Sequence, residues 1–332
     1  MAELVLVENR YGTTQLLNLV KPLFEHAQED AFETVLFLRG GEARQGEGGL
    51  RTRGYFKQNQ SDMPLITVIT VVFNGEEFLE KTIQSVINQT YDNVEFIIID
   101  GGSNDSTLEI IRKYEYAINY WVSEKDNGIY DAMNKGVTLS SGSWLNFMNA
   151  GDQFVDSHKI AEIVRSLVDF EGIFSAKVEI VNSEGASLGY CHPNKPCEPQ
   201  LILKENCIAH QSAFTSISVF RKIGFFKNSY KIHGDYDFWI RAYVSNIPYK
   251  FQNTVVSYFV NNGVSSERKN YSTALLEAMK IYLDYGVYPI YKLFFMYVFK
   301  LALYNVKSLI MIVLGDELSK SIRRVVSKRF SW

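Results

Sequence analysis

Three stretches of this sequence set a carboxylate or an amide where the chain leaves an apolar run, and each could hold a ligand. The run from Leu65 to Phe73 ends in Asn74-Gly75. The run Val94 to Asp100 continues into Gly101-Gly102-Ser103, and Trp144 to Met148 leads into Asn149-Ala150-Gly151-Asp152. An aspartate followed by glycines and small hydroxyls can bond a base or ribose while the backbone comes close to the ligand. The same types also build plain turns and helix caps, as Asp105 or Ser106 would here. Asp152 can give one carboxylate to a divalent ion that steadies a diphosphate as its charge grows; a lone aspartate after a strand is equally at home in a turn. Asp131 and Lys135, four residues apart, share a helix face. They either pair with each other or line phosphates beside the helix N-terminus.

These residues need a frame, and the sequence supplies one. Leu65 to Phe73 is β-branched almost throughout, as suits a strand buried on both faces of a parallel sheet. Phe78, Leu79, Ile83, Val86 and Ile87 give helical spacing over 76–89. A strand follows over 94–100, a helix over 106–114, a strand over 118–122, a helix over 128–139 and a strand over 144–148. Strands alternating with helices imply βαβ units with right-handed crossovers, whose ligands bind beyond the strands' carboxyl ends. The second half mixes short strands (172–181 and 250–260) with a helix at 235–244. No GxGxxG follows either early strand, which argues against a dinucleotide fold.

Before Pro64 the texture differs. The spacing predicts a short helix over 14–26 and a strand over 35–38, whereas 40–54 is too polar and glycine-rich to pack. Residues 1–63 therefore read as a partly ordered extension. A net charge of −3 gives no global reason to expect nucleic acid, so any bound anion must be held locally. Cys191, Cys197 and Cys207 lack a zinc spacing and are expected as reduced thiols in a cytosolic protein. Glu3, Glu8 and Arg10 interrupt what would be a signal peptide's apolar core.

The assembled string, ITVITVVFNG, QSVINQTYDNVEFIIIDGGSNDST, SEKDNGIYDAMNKG and NFMNAGDQF, resembles the family 2 glycosyltransferases, most closely the bacterial enzymes of exopolysaccharide, O-antigen or capsule assembly. The likeness runs over roughly 64–260. It implies a GT-A fold, a mostly parallel α/β sheet with flanking helices, and a nucleoside held by Thr70, Val71, Asn74 and Asp100. Gly102, Asp131, Lys135 and Asn149 complete the implied donor-binding set. The metal-binding motif, for Mg2+ or Mn2+, falls at 149–152, where Gly151 stands in place of a frequent aspartate and Asp152 is the remaining carboxylate. Gly234-Asp235-Tyr236-Asp237-Phe238-Trp239-Ile240-Arg241 resembles the family's acidic base motif, with Gly234 replacing the usual glutamate. By that likeness Asp235 is the catalytic base, taking the acceptor hydroxyl's proton in an inverting displacement. On the residues alone it could instead be a helix N-cap. Asp237 lies about 200° further round the helix, so the two cannot share one acceptor. His210-Gln211 also matches a recurring element, and either touches metal, phosphate or acceptor or is structural.

From Tyr288 to Leu314 the chain is rich in apolar and aromatic residues, yet Lys292, Lys300 and Lys307 interrupt every stretch long enough to span a bilayer. All three fall on one helical face, the pattern of a helix lying in the membrane interface, with Lys320, Arg323, Arg324, Lys328 and Arg329 adding attraction to anionic headgroups. The other reading of this tail is a cap on the catalytic domain or on a homodimer partner.

The domain reading is an extension (1–63), a catalytic domain (64–262, split near 152 into nucleotide-binding and acceptor halves) and a helical, membrane-associating tail (263–332). The expected function is sugar transfer from a nucleotide-diphosphate donor, by likeness a UDP-sugar, to a glycan or lipid-linked acceptor at the inner face of the plasma membrane. A non-catalytic sugar-nucleotide-binding scaffold and a sugar nucleotidyltransferase stand as alternatives. The second would ordinarily show a glycine-rich basic loop after the first strand, which Phe73-Asn74-Gly75-Glu76-Glu77 lacks.

Overall fold

The computed structural model describes residues 11–40, 43–60, 62–182, 184–191, 199–203, 205–260, 270–287, 295 and 298–299. The chain divides into two compact units, Met1–Gly263 and Val264–Trp332. In the first, the strands are β1 (Arg44–Gly48), β2 (Ile66–Val72), β3 (Val94–Asp100), β4 (Tyr120–Glu124), β5 (Trp144–Phe147), β6 (Gln153–Phe154), β7 (Ile173–Val181), β8 (Ser187–Tyr190), β9 (Phe214–Ser216) and β10 (Tyr249–Val260). Its helices are α1 (Leu79–Ile87), α2 (Thr107–Lys113), α3 (Ile129–Leu139), α4 (Lys159–Leu167), α5 (Ile217–Ile223) and α6 (Gly234–Val244). In the second unit the described helix is α7 (Tyr271–Asp284). The tail expected over 288–314 lies outside the described residues apart from helical positions at 295, 298 and 299.

One sheet organises the first unit, in the order β1-β4-β3-β2-β5-β9-β7-β10-β6, with β8 on β7. Strands β4, β3, β2 and β5 run parallel, joined by helical crossovers. Every residue of β2 and β3 is buried, because helices cover both faces. Ile66, Val68, Phe96 and Ile98 pack with Leu79, Ile83, Ile111 and Ile163 on one face. α3 crosses the other, where Gly136 lies against Ile69; a methyl group at 136 would collide with that side chain. The chain builds outward from β2 through β3 to β4, then returns to place β5 on the other side of β2. In sheets of this kind such a reversal is the usual ligand position, a crevice beyond the carboxyl ends of the strands, here β2 and β5.

The N-terminal segment departs from expectation. No helix forms over 14–26; the chain makes turns, with Asn18 and Phe56 exchanging backbone hydrogen bonds. Pro22 sits inside the predicted helix and breaks it, and Leu16, Leu19, Val20 and Leu23 stay exposed. Nor is 35–38 a strand; its Val35 N–H donates to Thr138 O. The polar stretch expected not to pack instead adds β1 antiparallel to β4 and a short 3-10 turn, Leu50–Arg53. Arg51, fully buried, donates to Glu95 Oε1 at 2.6 Å, Leu36 O at 2.9 Å and Leu139 O at 3.0 Å. Lys57, also buried, donates to the carbonyls of Gly12, Gln15 and Asp92 at 2.6–3.0 Å. Composition marked 40–54 as too polar to pack; specific partners make Arg51 interior.

The thiol expectation is also corrected. Cys207 is disulfide-bonded, while Cys191 is free. Spacing along the chain does not show which sulfurs folding brings together.

Candidate active site

At the crevice the strand-end residues behave differently from one another. Asp100 is completely buried. Its Oδ1 accepts from Ser103 Oγ, and its Oδ2 accepts from Ser103 N at 3.1 Å and Ser123 Oγ at 2.6 Å. Both oxygens are thus committed to shaping the Gly101-Gly102 turn, where Gly102 takes φ +82°. Thr70 is buried too and donates to Met148 O at 2.6 Å, which ties β2 to the end of β5. Val71 accepts the amide of Ala150 through its carbonyl. Asn74, at φ +50°, donates its N–H to Ser103 Oγ and accepts Asn104 N at 3.0 Å. The structure therefore gathers these residues at one end of the sheet, with most of their polar atoms locking loops together.

The same holds on α3. Lys135 pairs with Glu124 at 2.9 Å and lies 3.9 Å from Asp131. Asp131 accepts Asn127 N at 3.0 Å and Asn228 Nδ2 at 3.3 Å. For Glu124, burial works to raise the pKa, but hydrogen bonds and charge from Lys135 and Arg44 outweigh it and hold the carboxyl below its ordinary range.

Beyond the end of β5, three side chains from distant segments converge. His210, in a short 3-10 turn, places Nδ1 3.4 Å from Asp235 Oδ2 and Nε2 3.8 Å from Asp152 Oδ2. Asn149 Nδ2 lies 3.0 Å from Nε2. With the amide as donor, Nε2 accepts and the ring proton sits on Nδ1, facing Asp235. Burial pushes Asp152 up to about 7, against the opposing pull of His210, Gln211 and the Asn149 backbone. For His210, burial works to lower the pKa, but the hydrogen bond and charge of Asp235 and the charge of Asp152 leave it raised. Asn149 Oδ1 is buried beside this cluster without a hydrogen-bond partner.

Local structure explains the two glycines that replace acids. Gly151 takes φ +104°, a backbone region an aspartate rarely adopts. Its amide and the Asp152 carbonyl are both held by Thr82 Oγ1 from α1, at 3.0 and 2.8 Å. Gly234 opens α6 against the ring of Tyr130, where a methyl group would come to 2.7 Å; that ring's hydroxyl donates to Ile232 O. Asp235 occupies the first turn of α6 and accepts Tyr236 N at 2.7 Å, whereas His233 holds the N-cap position. Asp237, completely buried, pairs with Lys227 and Arg241 at 2.8 Å each. It belongs to the packing of α6, as its angular separation from Asp235 implied.

Sequence reasoning missed Thr82, whose hydroxyl pins the 149–152 turn, and Phe73, whose ring stands 64% exposed at the end of β2. An aromatic residue closing a buried strand just before Asn-Gly was a readable signal. For Thr82 there was none.

Comparison with known proteins identifies the family. The glycosyl transferase family 2 model matches residues 67–225. An uncharacterized glycosyltransferase of Mycobacterium tuberculosis is 31% identical over 214 residues, covering 62% of this chain and 79% of the relative. The chain belongs to glycosyl transferase family 2. It is a glycosyltransferase, and its sheet is of the GT-A type. A PGL/p-HBAD biosynthesis glycosyltransferase of Mycobacterium bovis is 28% identical, over 54% of this chain and 70% of its own. Two solved structures share the fold at 14% identity. The mannosyltransferase PcManGT of Pyrobaculum calidifontis, in complex with GDP-Man and Mn2+, aligns with TM-score 0.55 over 83% of each chain. TarS 1-349 of S. aureus, in complex with UDP-GlcNAc, aligns with TM-score 0.52 over 66% of each. Of a longer TarS chain this protein spans 39%.

Proposed function

We propose that this glycosyltransferase moves a sugar with inversion from a nucleotide-diphosphate donor, a UDP-sugar in the first instance, to a glycan or lipid-linked acceptor in surface polysaccharide assembly. The observation that carries the reading is the meeting of Asp152 and Asp235 on opposite nitrogens of one imidazole. A donor lying across the crevice would set its diphosphate toward Asp152 and its anomeric carbon toward Asp235. The turn shaped by Asp100 and the exposed ring of Phe73 would receive the nucleoside.

In the transfer, Asp235 accepts the proton of the acceptor hydroxyl as that oxygen bonds to the anomeric carbon. The bond from that carbon to the diphosphate breaks on the opposite side, and its electron pair leaves with the nucleoside diphosphate. Tyr236 N–H and the His210 ring orient the Asp235 carboxylate. Asp152 and the unpaired Asn149 Oδ1 are oxygen donors suited to Mg2+ or Mn2+, whereas the His210 Nε2 lone pair is taken up by Asn149 Nδ2. Among the described residues no cluster of three or more His, Cys, Asp or Glu could hold a metal by itself. The ion would therefore draw much of its shell from donor oxygens and water. Once bound, it would offset charge on the departing diphosphate.

Neighbours of the same fold bind UDP-GlcNAc, or GDP-Man with Mn2+, which supports a nucleotide-sugar donor and a divalent ion. Among the described residues no helix is long and apolar enough to cross a membrane. In the sequence, the lysine spacing over 288–314 and the basic residues of 320–329 support peripheral attachment. The test is a donor-hydrolysis and transfer screen across UDP-, GDP- and dTDP-sugars with Mg2+ or Mn2+, using membrane lipid acceptors and repeated on Asp152→Ala and Asp235→Asn. Transfer that survives undiminished in Asp235→Asn refutes the base assignment. Nucleotide binding without turnover by the parent protein would favour the scaffold reading instead.

A further inference from the structure

The family match begins at residue 67, yet the segment before it reaches the donor end of the sheet. β1 pairs with β4 so that Arg44 opposes Glu124 and Gly46 opposes Ser123. Two steps along β1 thus match one along β4, and Gln45 is the extra residue of a β-bulge. Bulges re-aim side chains and recur beside active sites. This one turns Gln45 toward the loop after β3: a methyl built on Gly102 would lie 3.5 Å from Gln45 Nε2. On the neighbouring glycine the approach is closer still, since a methyl on Gly101 would collide with Asp126 Oδ2. Gln45 and Asp126 therefore flank two consecutive glycines at the carboxyl end of β3.

The flanking groups are held from outside the crevice. Arg44 is fixed by Glu124 at 2.9 Å and by the carbonyls of Leu38 and Arg39. On the other side of the bulge, Gly46 packs against the ring of Trp121. Asp126 Oδ1 accepts Gly128 N at 2.8 Å in the turn just ahead of α3. Gln45 is exposed, and its amide takes no hydrogen bond from any described residue. A bulged, anchored and unused amide beside a glycine turn suits an edge that offers a carbonyl next to an N–H.

We propose that Gln45 is a base-recognition residue of the donor crevice, supplied by this N-terminal segment. The proposal rests on the nucleotide-sugar reading above. Gln45 Nε2 donates to an acceptor on the base edge, such as a uracil or guanine ring carbonyl, and its Oε1 or Asp126 Oδ2 accepts the adjacent N–H.

Calorimetric titration of the full chain with UDP, GDP, ADP and inorganic pyrophosphate tests it, on the parent, Gln45→Ala and Gln45→Glu. Loss of one or two neutral hydrogen bonds should weaken UDP or GDP roughly 3- to 10-fold in Gln45→Ala. Pyrophosphate affinity should stay put and the melting temperature should barely move, because the residue is exposed. Gln45→Glu, which keeps the shape but not the N–H donors, should lose at least as much. If the parent binds UDP and Gln45→Ala binds it equally well, the assignment of Gln45 falls and the functional reading stands. Equal weakening of UDP and pyrophosphate also overturns it, since that marks a general disturbance. A parent protein that binds no nucleotide overturns both.

Discussion

The N-terminal segment and the crevice rim both bury charge, and they do so in opposite ways. Arg51 and Lys57 each reach three oxygens at 2.6–3.0 Å, by ion pair and backbone carbonyl. At the rim, His210 reaches Asp235 at 3.4 Å and Asp152 at 3.8 Å, while Asn149 Oδ1 has no partner. A saturated buried charge fixes structure, because nothing further can bond to it without displacing a partner. A buried charge left short of partners is held ready for a group that arrives later. α6 shows the same contrast over two residues: Asp237 is saturated by Lys227 and Arg241, and Asp235 is not.

Substitutions that separate stability from turnover would break or sharpen this contrast. The largest effect is expected at Asp235→Asn, where transfer should fall by roughly 10²–10⁴ with melting temperature and nucleoside diphosphate affinity close to the parent's. Single-turnover kinetics beside a binding titration would show it, and a matching loss of stability would move Asp235 to the structural class. Next comes Arg51→Met, which strands Glu95 in the interior and should cost about 3–5 kcal/mol in urea unfolding. Adding Glu95→Gln should recover part of that. Lys57→Met leaves three carbonyls without a donor and should cost about 1–3 kcal/mol, with transfer per folded molecule unchanged.

The smallest effect is a pH dependence. Asp152 is raised to about 7 in the folded chain, above its unfolded value near 3.9. The folded state thus binds the extra proton between those values. The resulting stability is full below about pH 4 and is lost as pH rises through about 7. Without divalent ions, the parent's melting temperature should therefore drop more between pH 5 and 8 than that of Asp152→Asn, by roughly 2–4 °C per kcal/mol removed. Parallel profiles would show that Asp152 is not under-partnered.

How legible each region was follows from the same distinction. β3 spans Val94–Asp100, as its continuous apolar run predicted, and α3 begins one residue from its expected start. Such elements are declared locally, by burial on both faces or by helical spacing. Arg51 and Glu95 lie 44 residues apart, and nothing near either one names the other. The stretch 40–54 therefore read as solvated. Asp100 was visible as a strand-end acid, but not that Ser123, 23 residues on, would occupy its Oδ2. Asp152, His210 and Asp235 were each singled out along the chain. Their bridging through one ring needed the sheet to close. Gln45 left no trace in the sequence, since a bulge exists only relative to the strand it opposes.

β1 has a practical consequence. It covers β4, whose buried Tyr120-Trp121-Val122-Ser123 would otherwise be the rim of the sheet. A bare apolar rim invites pairing with another molecule, whereas a short, charged, glycine-bearing strand with a kink discourages it. Trimming the protein back to Pro64, where the family likeness starts, would exchange the guarded rim for the sticky one. Such a fragment would be expected to self-associate, and light scattering would register it before any assay did.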